Sequence, residues 1–197
     1  MDWEIIDRSP GYRGFFRLDV LHIRHALYGG GWSPSLTREL FWRSDAVAVL
    51  PYDPVRDRVL LIEQFRTGAI DAPHGPWLTE IIAGLIEPGE GRERVAHREA
   101  REEANCALQA LYHVFDYYSS PGGFSERVSI YLAKADLNDP TCGVHGLRSE
   151  GEDIRVEVIG AQQAFDKVAS GAIVSAMPII ALQWLQLNRA MIRGLWK

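Results

Sequence analysis

Three glutamates in the middle of the chain have a spacing that suits a metal ion. They are Glu99, Glu102 and Glu103, in the stretch GLIEPGEGRERVAHREAREEANC, residues 84–106. If residues 92–104 form a helix, positions i, i+3 and i+4 lie on one face, and like charges there cost about 0.2–0.5 kcal/mol per pair. A divalent cation would turn that repulsion into binding energy. Ligands that are all oxygens favour Mg²⁺, with Mn²⁺ as a possible substitute.

The same stretch has a simpler interpretation as a solvated helix with internal ion pairs. Arg94, Arg98 and Arg101 alternate with the glutamates and could neutralise them. Charged runs on helices are usually faces turned to solvent. The carboxylate spacing alone therefore leaves both interpretations open.

The spacing over the whole stretch favours the metal site. Gly84 is followed by five residues and Glu90, and seven residues later by a cluster of charges. This pattern resembles the Nudix box, GX5EX7REUXEEXGU, in which U is a bulky aliphatic residue. The second box glycine is replaced by Asn105, and asparagine is the usual second choice where a helix ends in left-handed geometry. The aliphatic positions hold Ala100 and Cys106, which are smaller than usual. All the charged positions match: Glu90, Arg98, Glu99, Glu102 and Glu103.

The resemblance implies a fold and an activity. Nudix domains are α/β/α sandwiches around a mixed sheet, and the box is a loop–helix–loop whose carboxylates bind magnesium. The enzymes hydrolyse a nucleoside diphosphate linked to another moiety. The residues matching the box take these roles by resemblance: Ala83 through its carbonyl, Glu99 and Glu103 as metal ligands, Glu102 as a catalytic carboxylate beside them, and Glu90 with Arg98 as a pair that holds the loop.

A second motif narrows the substrate class. SPGGFSER, residues 120–127, carries a proline similar to the mark of ADP-ribose pyrophosphatases, although Pro-Gly-Gly is also an ordinary turn signal. Residues 12–19, 50–66, 145–158 and 179–187 look like the same bacterial family, in order along nearly the whole chain. The resemblance implies magnesium-dependent hydrolysis of ADP-ribose to AMP and ribose 5-phosphate.

The resemblance also assigns substrate contacts outside the box. Arg43 and Arg66 are expected on the phosphates, because the arginine fork matches phosphate oxygens bidentately. Without the resemblance, Arg66 would be interpreted as a surface residue at a strand end. Glu126 is expected to contact the substrate. The residues expected to border it are Leu85, Ser120, Pro121 and Gly122.

The acidic loop RSEGEDIR, residues 148–155, is expected to complete the catalytic machinery. By resemblance Glu150 is the general base and Glu152 a further metal ligand. Gly146 and Gly151 flank the loop, so that it could deliver the base when substrate binds. A solvated acidic loop is the alternative, and the choice of base between Glu150 and Glu152 stays open.

The N-terminal 42 residues are expected to form a separate antiparallel sheet, followed by the Nudix domain at residues 43–197. In the family this sheet exchanges with the partner subunit, which implies a homodimer whose adenine and ribose pocket is built from both chains. Phe15 and Phe16 are then candidates to reach the pocket of the second chain. Burial of this pair in the local sheet is the alternative.

Composition excludes several classes of protein. The 197 residues are 47% hydrophobic and 24% charged, which is ordinary for a globular protein. A net charge of −5 argues against a nucleic-acid binder. The N-terminus lacks the features of a signal peptide, and no apolar run approaches the roughly 20 residues that span a membrane. Cys106 and Cys142 form no CxxC pair, so a reducing cytoplasm is the expected location.

An α+β arrangement is expected to position these residues. The last helix is expected to begin near Pro178, and a shorter one to end at Gly171. The predicted apolar stripe of the last helix consists of Ile180, Trp184, Leu187 and Met191. The predicted strands cover residues 15–27, 36–44, 46–50, 58–65, 76–83, 107–118, 127–133 and 154–159.

Two other functions are compatible with these patterns. One is hydrolysis of another nucleoside diphosphate sugar, such as GDP-mannose. The other is ligand sensing by an inactive Nudix fold, although such domains usually lose box glutamates and this chain keeps all four.

Overall fold

The chain divides into two units of contacting residues. One consists of Met1–Asp45 with Tyr117–Val128, and the other of Ala46–Asp116 with Ser129–Lys197. The structure, a computed structural model, describes residues 1–138 and 143–196. Cys142 lies outside the described residues, and Cys106 is buried with a free thiol.

The first unit contains a three-stranded antiparallel sheet. Its strands are β1 (Trp3–Arg13), β2 (Arg17–His25) and β3 (Leu36–Trp42), in that order. Strand β1 was not among the predicted strands. Its pairing with β2 shifts register between Ile5 and Asp7 and again between Pro10 and Tyr12. These irregularities break the alternation of polar and apolar residues by which a strand is recognised in sequence.

A buried carboxylate forms ion pairs with arginines of β1 and β2. Asp19 of β2 has no exposed surface, and Arg8, Arg13 and Arg17 reach its oxygens at 2.8, 2.8 and 2.6 Å. The hydrogen bond from Arg17 is the main reason why the pKa of Asp19 lies well below its usual range. A buried charge with three cationic partners is compensated, whereas a lone one would be costly.

A second sheet has eight strands among residues 1–138 and 143–196. They are β4 (Ala46–Asp53), β5 (Arg58–Phe65), β6 (Trp77–Glu80), β7 (Ile82–Leu85), β8 (Leu108–Tyr118), β9 (Arg127–Ala135), β10 (Gly143–His145) and β11 (Ile154–Gly160). The strand order is β10-β11-β5-β4-β9-β8, with β6 beside β5 and β7 beside β4. Residues 76–83, predicted as one strand, instead form β6 and β7, because the chain changes partner from β5 to β4 at Ile81.

Three α-helices accompany this sheet among the described residues. They are α1 (Arg92–Ala104), α2 (Ala161–Ala169) and α3 (Ala176–Leu195), as the sequence predicted. Gly171, the predicted end of α2, has φ +76°, a conformation that glycine adopts at little cost. None of the helices in residues 1–138 and 143–196 is long and apolar enough to cross a membrane.

The core around α1 explains its orientation. Val95, Ala96 and Ala100 are fully buried and pack in one cluster with Val49 and Ile62 of the sheet. The intervening strand residues are buried as well, so the opposite face of β4 and β5 is also covered. Small alanines on α1 let the helix lie close to the strands, and Glu103 reaches the amide of Ala83 in β7.

The predicted stripe on α3 is wrong for two of its four members. Leu187 is 86% exposed and Met191 is 43% exposed. The helix buries a neighbouring face, formed by Pro178, Ala181, Leu182, Leu185 and Ile192. Because α3 is apolar on more than one side, its periodicity does not distinguish the face that packs from the face that does not.

Candidate active site

Helix α1 presents the acidic residues of the box on one side. The helix begins after Gly91 and ends at Asn105, whose φ of 45° and ψ of 35° are left-handed. The amide of Asn105 donates to the Arg101 carbonyl at 3.0 Å, and that of Cys106 donates to the Ala100 carbonyl at 2.8 Å. The predicted left-handed end is therefore confirmed, and it satisfies carbonyls that a helix end leaves without partners.

Arg98 lies at the centre of the box. Its Nε and Nη2 donate to the two oxygens of Glu90, each at 3.1 Å. Its Nη1 donates to Glu99 at 2.7 Å and to Glu102 at 3.1 Å. The hydrogen bond with Glu90 raises the pKa of Arg98 and lowers that of Glu90. The expected Glu90–Arg98 pair is thus present, and it ties the loop before α1 to the middle of the helix.

Gly84 leaves room for the side chain of Glu99. A Cβ atom at this position would lie 1.7 Å from Oε1 of Glu99 and 2.0 Å from its Cδ. Any side chain on residue 84 would occupy the space of that carboxylate. The first glycine of the box is therefore required here by the close approach of Glu99 to strand β7.

Glu103 is the most deeply buried acid of this group. It is 3% exposed, and its Oε2 accepts the amide of Ala83 at 3.1 Å. Burial raises the pKa of Glu103 well above its usual range, and the charges of Glu99 and Glu152 raise it further. Burial is also the main cause of the raised pKa of Glu99. Carboxylates that are buried and repel one another are destabilised as anions unless a cation joins them.

The loop after β10 brings Glu152 to these carboxylates. The Leu147 amide donates to Oε2 of Glu152 at 2.9 Å, and the Gly146 amide donates to the Glu102 carbonyl at 3.2 Å. Gly146 has φ +99°, and a Cβ there would lie 2.7 Å from the Cβ of Glu152. Glu150, by contrast, ends a short turn in an exposed position. The two loop acids predicted for catalysis therefore have different surroundings.

The acids of the second unit have the chemistry of a site for a hard cation. Besides burial, the charge of Glu152 raises the pKa of Glu99 and of Glu103, and all three carboxylates offer oxygen ligands. Within residues 1–138 and 143–196, no three acidic, histidine or cysteine side chains already surround a single point. Arg98 accounts for part of this arrangement, because it holds Glu99 and Glu102 in ion pairs.

Arg66 lies close to the same carboxylates. Its positive charge opposes the rise in the pKa of Glu103. Its Nε and Nη2 both reach Oε2 of Glu80 at 2.7 Å. Leu85, predicted to border the substrate, is 40% exposed, and its carbonyl accepts Nη2 of Arg98 at 3.3 Å.

A chain of aromatic rings lies in the first unit. Phe15 contacts Phe16 with ring centroids 4.8 Å apart, Phe16 contacts Phe41 at 4.9 Å, and Phe41 contacts Phe124 at 4.8 Å. Phe15 is 92% exposed and Phe16 is 39% exposed. The alternative of a buried phenylalanine pair is therefore wrong.

Arg43 and Glu126 lie beside this chain of rings. Arg43 Nε is 3.1 Å from Oε1 of Glu126, and its guanidinium lies 5.9 Å from the centre of the Phe16 ring. Glu126 is 5% exposed, yet neither of these two atoms makes a hydrogen bond of good geometry within the described part of the chain. Buried polar atoms usually have a partner, so this pair has capacity for a ligand.

The predicted turn at Ser120–Gly122 follows strand β8. The Ser120 carbonyl accepts the amides of Gly123 at 3.2 Å and Phe124 at 2.9 Å. Pro121 and Gly122 are exposed. The predicted site residues thus form two groups, one in each unit. The first unit holds Phe15, Phe16, Arg43, Ser120, Pro121, Gly122 and Glu126, and the second holds Arg66, Ala83, Leu85, Glu90, Arg98, Glu99, Glu102, Glu103, Glu150 and Glu152.

Two neighbours of these residues were not predicted. Glu80 binds Arg66, and Ser175 donates to Glu80 at 2.9 Å. Glu80 ends a short strand and Ser175 precedes a helix, and neither position belongs to a recognisable motif. Ser175 and Glu80 are 95 residues apart in sequence, so no local pattern relates them.

Comparison with known proteins gives concordant results. A family model described as the NUDIX domain matches residues 42–173. An ADP-ribose pyrophosphatase of Escherichia coli (strain K12) is 48% identical over 195 residues, which cover 99% of this chain and 93% of that protein. A GDP-mannose pyrophosphatase of Cronobacter sakazakii (strain ATCC BAA-894) is 34% identical over 155 residues, covering 78% of this chain and 80% of that protein. The crystal structure of an ADP compounds hydrolase aligns with a TM-score of 0.70 at 19% identity, covering 95% of this chain and 96% of that chain.

These matches bear on the predictions of fold and enzyme class. The α+β fold with a mixed main sheet and a separate N-terminal antiparallel sheet is confirmed. The prediction of a Nudix hydrolase is confirmed as well. A family model that matches most of the chain, and a relative 48% identical along nearly its whole length, establish that the chain belongs to the Nudix family.

Proposed function

We propose that this protein hydrolyses ADP-ribose to AMP and ribose 5-phosphate, with Mg²⁺ as its cofactor. The observation that carries the proposal is the group of carboxylates formed by Glu99, Glu103 and Glu152, with the cationic Arg66 close to it. A diphosphate needs cations to offset its charge, and this group can hold one beside an arginine. The 48% identity to an ADP-ribose pyrophosphatase supports the choice of substrate.

The donor set fits Mg²⁺, and Mn²⁺ could replace it. Glu99, Glu103, Glu152 and the carbonyl of Ala83 would hold the ion, because all are hard oxygen donors. When bound, the ion offsets charge on the diphosphate and orients the attacking water. Glu102, the fourth acid near the group, is 3.1 Å from Arg98 and remains a proposed catalytic carboxylate.

The protein's own residues perform the remaining steps. Arg66 binds phosphate oxygens, since a guanidinium offers planar pairs of N–H groups. The water oxygen forms a new bond to one phosphorus while the bridging P–O bond breaks. Glu150 accepts the water's proton, a role that typically contributes about 10²–10⁴-fold to a rate. Its exposed position between Gly146 and Gly151, both with positive φ, suits a residue that approaches after substrate binds.

Recognition of adenine and ribose falls to the first unit in this proposal. Phe15 and Phe16 offer exposed rings, and Arg43 Nε and Glu126 Oε1 form an ion pair but accept or donate no hydrogen bond within residues 1–138 and 143–196. The proposal includes a homodimer in which the N-terminal sheet is exchanged, so that these residues serve the pocket of a second copy. Sedimentation analysis should give a dimer mass. A monomer that turns over ADP-ribose at full rate would contradict this part.

GDP-mannose is the second candidate substrate, because a GDP-mannose pyrophosphatase is 34% identical to this chain. A panel of ADP-ribose, GDP-mannose and NADH separates the candidates by kcat/KM. The proposal predicts the highest value for ADP-ribose. A higher value for GDP-mannose would overturn the choice of substrate but not the reaction.

A further inference from the structure

Arg66 is bound by Glu80, a carboxylate with little exposed surface. Glu80, the last residue of β6, has a side chain that is 14% exposed, whereas that of Arg66 is 39% exposed. Both Nε and Nη2 of Arg66 lie 2.7 Å from Oε2 of Glu80. The backbone of Arg66 is also fixed, because its amide donates to the Pro76 carbonyl at 2.8 Å. One edge of the guanidinium is thus held by Glu80, and the remaining N–H groups of Arg66 do not face that carboxylate.

The carboxylate itself is held by Ser175. The hydroxyl of Ser175 donates to Oε1 of Glu80 at 2.9 Å. Ser175 is the N-cap residue of α3, where a serine side chain usually accepts an amide of the first turn. Here it makes no such bond. The N3 residue of this 20-residue helix is Pro178, which has no amide N–H to donate, and the hydroxyl of Ser175 holds Glu80.

Glu80 lies on the side of the sheet that faces α1. Glu80 pairs in register with Ile62, so both side chains point to one face. Ile62 packs in the cluster that contains Val95 and Ala96 of α1. Arg66 directly follows β5 and is bound to Glu80 on this face, the same face on which α1 carries Glu103 against the amide of Ala83. The chain Ser175–Glu80–Arg66 thus ends at the region where the diphosphate would bind.

A free arginine side chain loses considerable rotameric entropy when it binds a phosphate. A guanidinium that is already fixed avoids most of that loss and binds more tightly. We propose that Glu80, itself fixed by Ser175, is a positioning residue that holds Arg66 ready for the diphosphate of the substrate. This inference rests on the proposed function, because it takes that function's diphosphate as the ligand.

The charge of Glu80 also acts against diphosphate binding. A carboxylate near a diphosphate repels it, so removal of the charge on Glu80 could in principle strengthen binding. Glu80 is, however, neutralised by two nitrogens of Arg66 and bonded to Ser175, and its oxygens are turned away from solvent. The loss of order in Arg66 therefore outweighs the relief of repulsion.

A double-mutant cycle tests the inference with ADP, a stable diphosphate, as the probe. Calorimetry with Mg²⁺ gives the Kd for the wild type, Glu80→Gln, Arg66→Ala and the double variant. Glu80→Gln should weaken ADP binding about tenfold, which is part of what arginine ordering can contribute. In the Arg66→Ala background it should weaken binding no further, because the residue it positions is gone. Equal Kd values for wild type and Glu80→Gln, or fully additive effects, would overturn the inference.

Further variants separate positioning from a general effect on the fold. Glu63→Gln is the matched control, since it removes an ion pair with Arg155 across the neighbouring strands β5 and β11 and should leave the Kd unchanged. Ser175→Ala should also weaken ADP binding, by about threefold, and this variant replaces Glu80→Gln if the latter does not fold.

Both Glu80 and Ser175 variants should raise KM for ADP-ribose with kcat nearly unchanged. A lowered thermal midpoint with normal Kd would indicate a structural role only. The two proposals can fail separately. If the four Kd values show the coupling but the wild type does not hydrolyse ADP-ribose, the proposed function is refuted and the positioning role of Glu80 stands.

Discussion

The substitution Gly84→Ala should inactivate the enzyme without weakening its fold. The new Cβ would lie 1.7 Å from Oε1 of Glu99. Ordinary contact needs about 3.5 Å, so the carboxylate must move by about 2 Å. A displacement of about 1 Å from the productive geometry can cost about 10²-fold in rate. We therefore expect kcat/KM to fall by at least about 10²-fold, and the Mg²⁺ concentration for half-maximal rate to rise.

The same change should not lower stability. Gly84 lies in strand β7, paired with Val47, and its φ is not positive. Alanine is favoured over glycine in a strand by about 0.5–1 kcal/mol, and the long side chain of Glu99 can move aside. The thermal midpoint should thus equal or exceed that of the wild type. A large fall in the midpoint would show that the backbone, and not the carboxylate, has moved.

Gly91→Ala is the matched control within the same motif. A Cβ at Gly91 meets no atom within 4 Å, so Glu99 keeps its place. Gly91 is the N-cap of α1, where alanine is less favourable by up to about 1 kcal/mol. This variant should lose a little stability and keep its activity, the reverse of Gly84→Ala. The assay is a Mg²⁺ titration of ADP-ribose hydrolysis beside a thermal melt. Wild-type values of kcat/KM and of Mg²⁺ requirement in Gly84→Ala would refute the reasoning.

Three further predictions concern the loop, the end of α1 and a buried acid. Glu150→Gln should lower kcat by about 10²-fold or more at an unchanged Mg²⁺ requirement, whereas Glu152→Gln should raise that requirement; a reversed pattern in the two titrations would exchange their roles. Asn105→Ala should lower the free energy of unfolding by about 1 kcal/mol and Asn105→Gly should not, as judged by urea denaturation, because only the left-handed φ of 45° distinguishes them. Burial opposes the ionisation of Asp53, but hydrogen bonds from Arg56 and nearby amides lower the pKa of this carboxyl in the folded protein. The ionised Asp53 therefore contributes fully to stability above the unfolded pKa of about 3.9, and this contribution is lost as the pH falls through the lower folded pKa. Asp53→Asn should therefore lower the melting temperature at pH 7, and the gap from wild type should shrink towards pH 3; a constant gap would show that the charge does not matter.

The part of the site carried by one helix was predictable from sequence. Glu99, Glu102 and Glu103 needed only the helical period to be placed together, and Asn105 needed only the chemistry of a helix end. The pairing of Arg98 with Glu90 spans eight residues and follows the motif. Local sequence contains this information because the geometry of a single helix determines it.

The rest depends on contacts between distant segments. The alternation in residues 76–83 predicted one strand, but the chain changes pairing partner at Ile81, and only the neighbouring strands determine that change. The role of the partly buried Glu80 depends on its bonds with Arg66 and Ser175, which come from other parts of the chain. On α3 the sequence offered several apolar stripes, and packing against the sheet selected Leu182 and Leu185 over Leu187. No periodicity records which of two apolar faces meets a partner.

The most direct test of the central claim is the hydrolysis of ADP-ribose by the purified protein, with and without Mg²⁺, beside the variant Glu103→Gln. The wild type with Mg²⁺ should release AMP and ribose 5-phosphate in equal amounts, and a chelator should stop the reaction. Glu103→Gln should lose most of the turnover even at saturating Mg²⁺ while it keeps the wild-type thermal midpoint. Absence of turnover in the wild type, or turnover that survives both the chelator and the loss of the Glu103 carboxylate, would contradict the account.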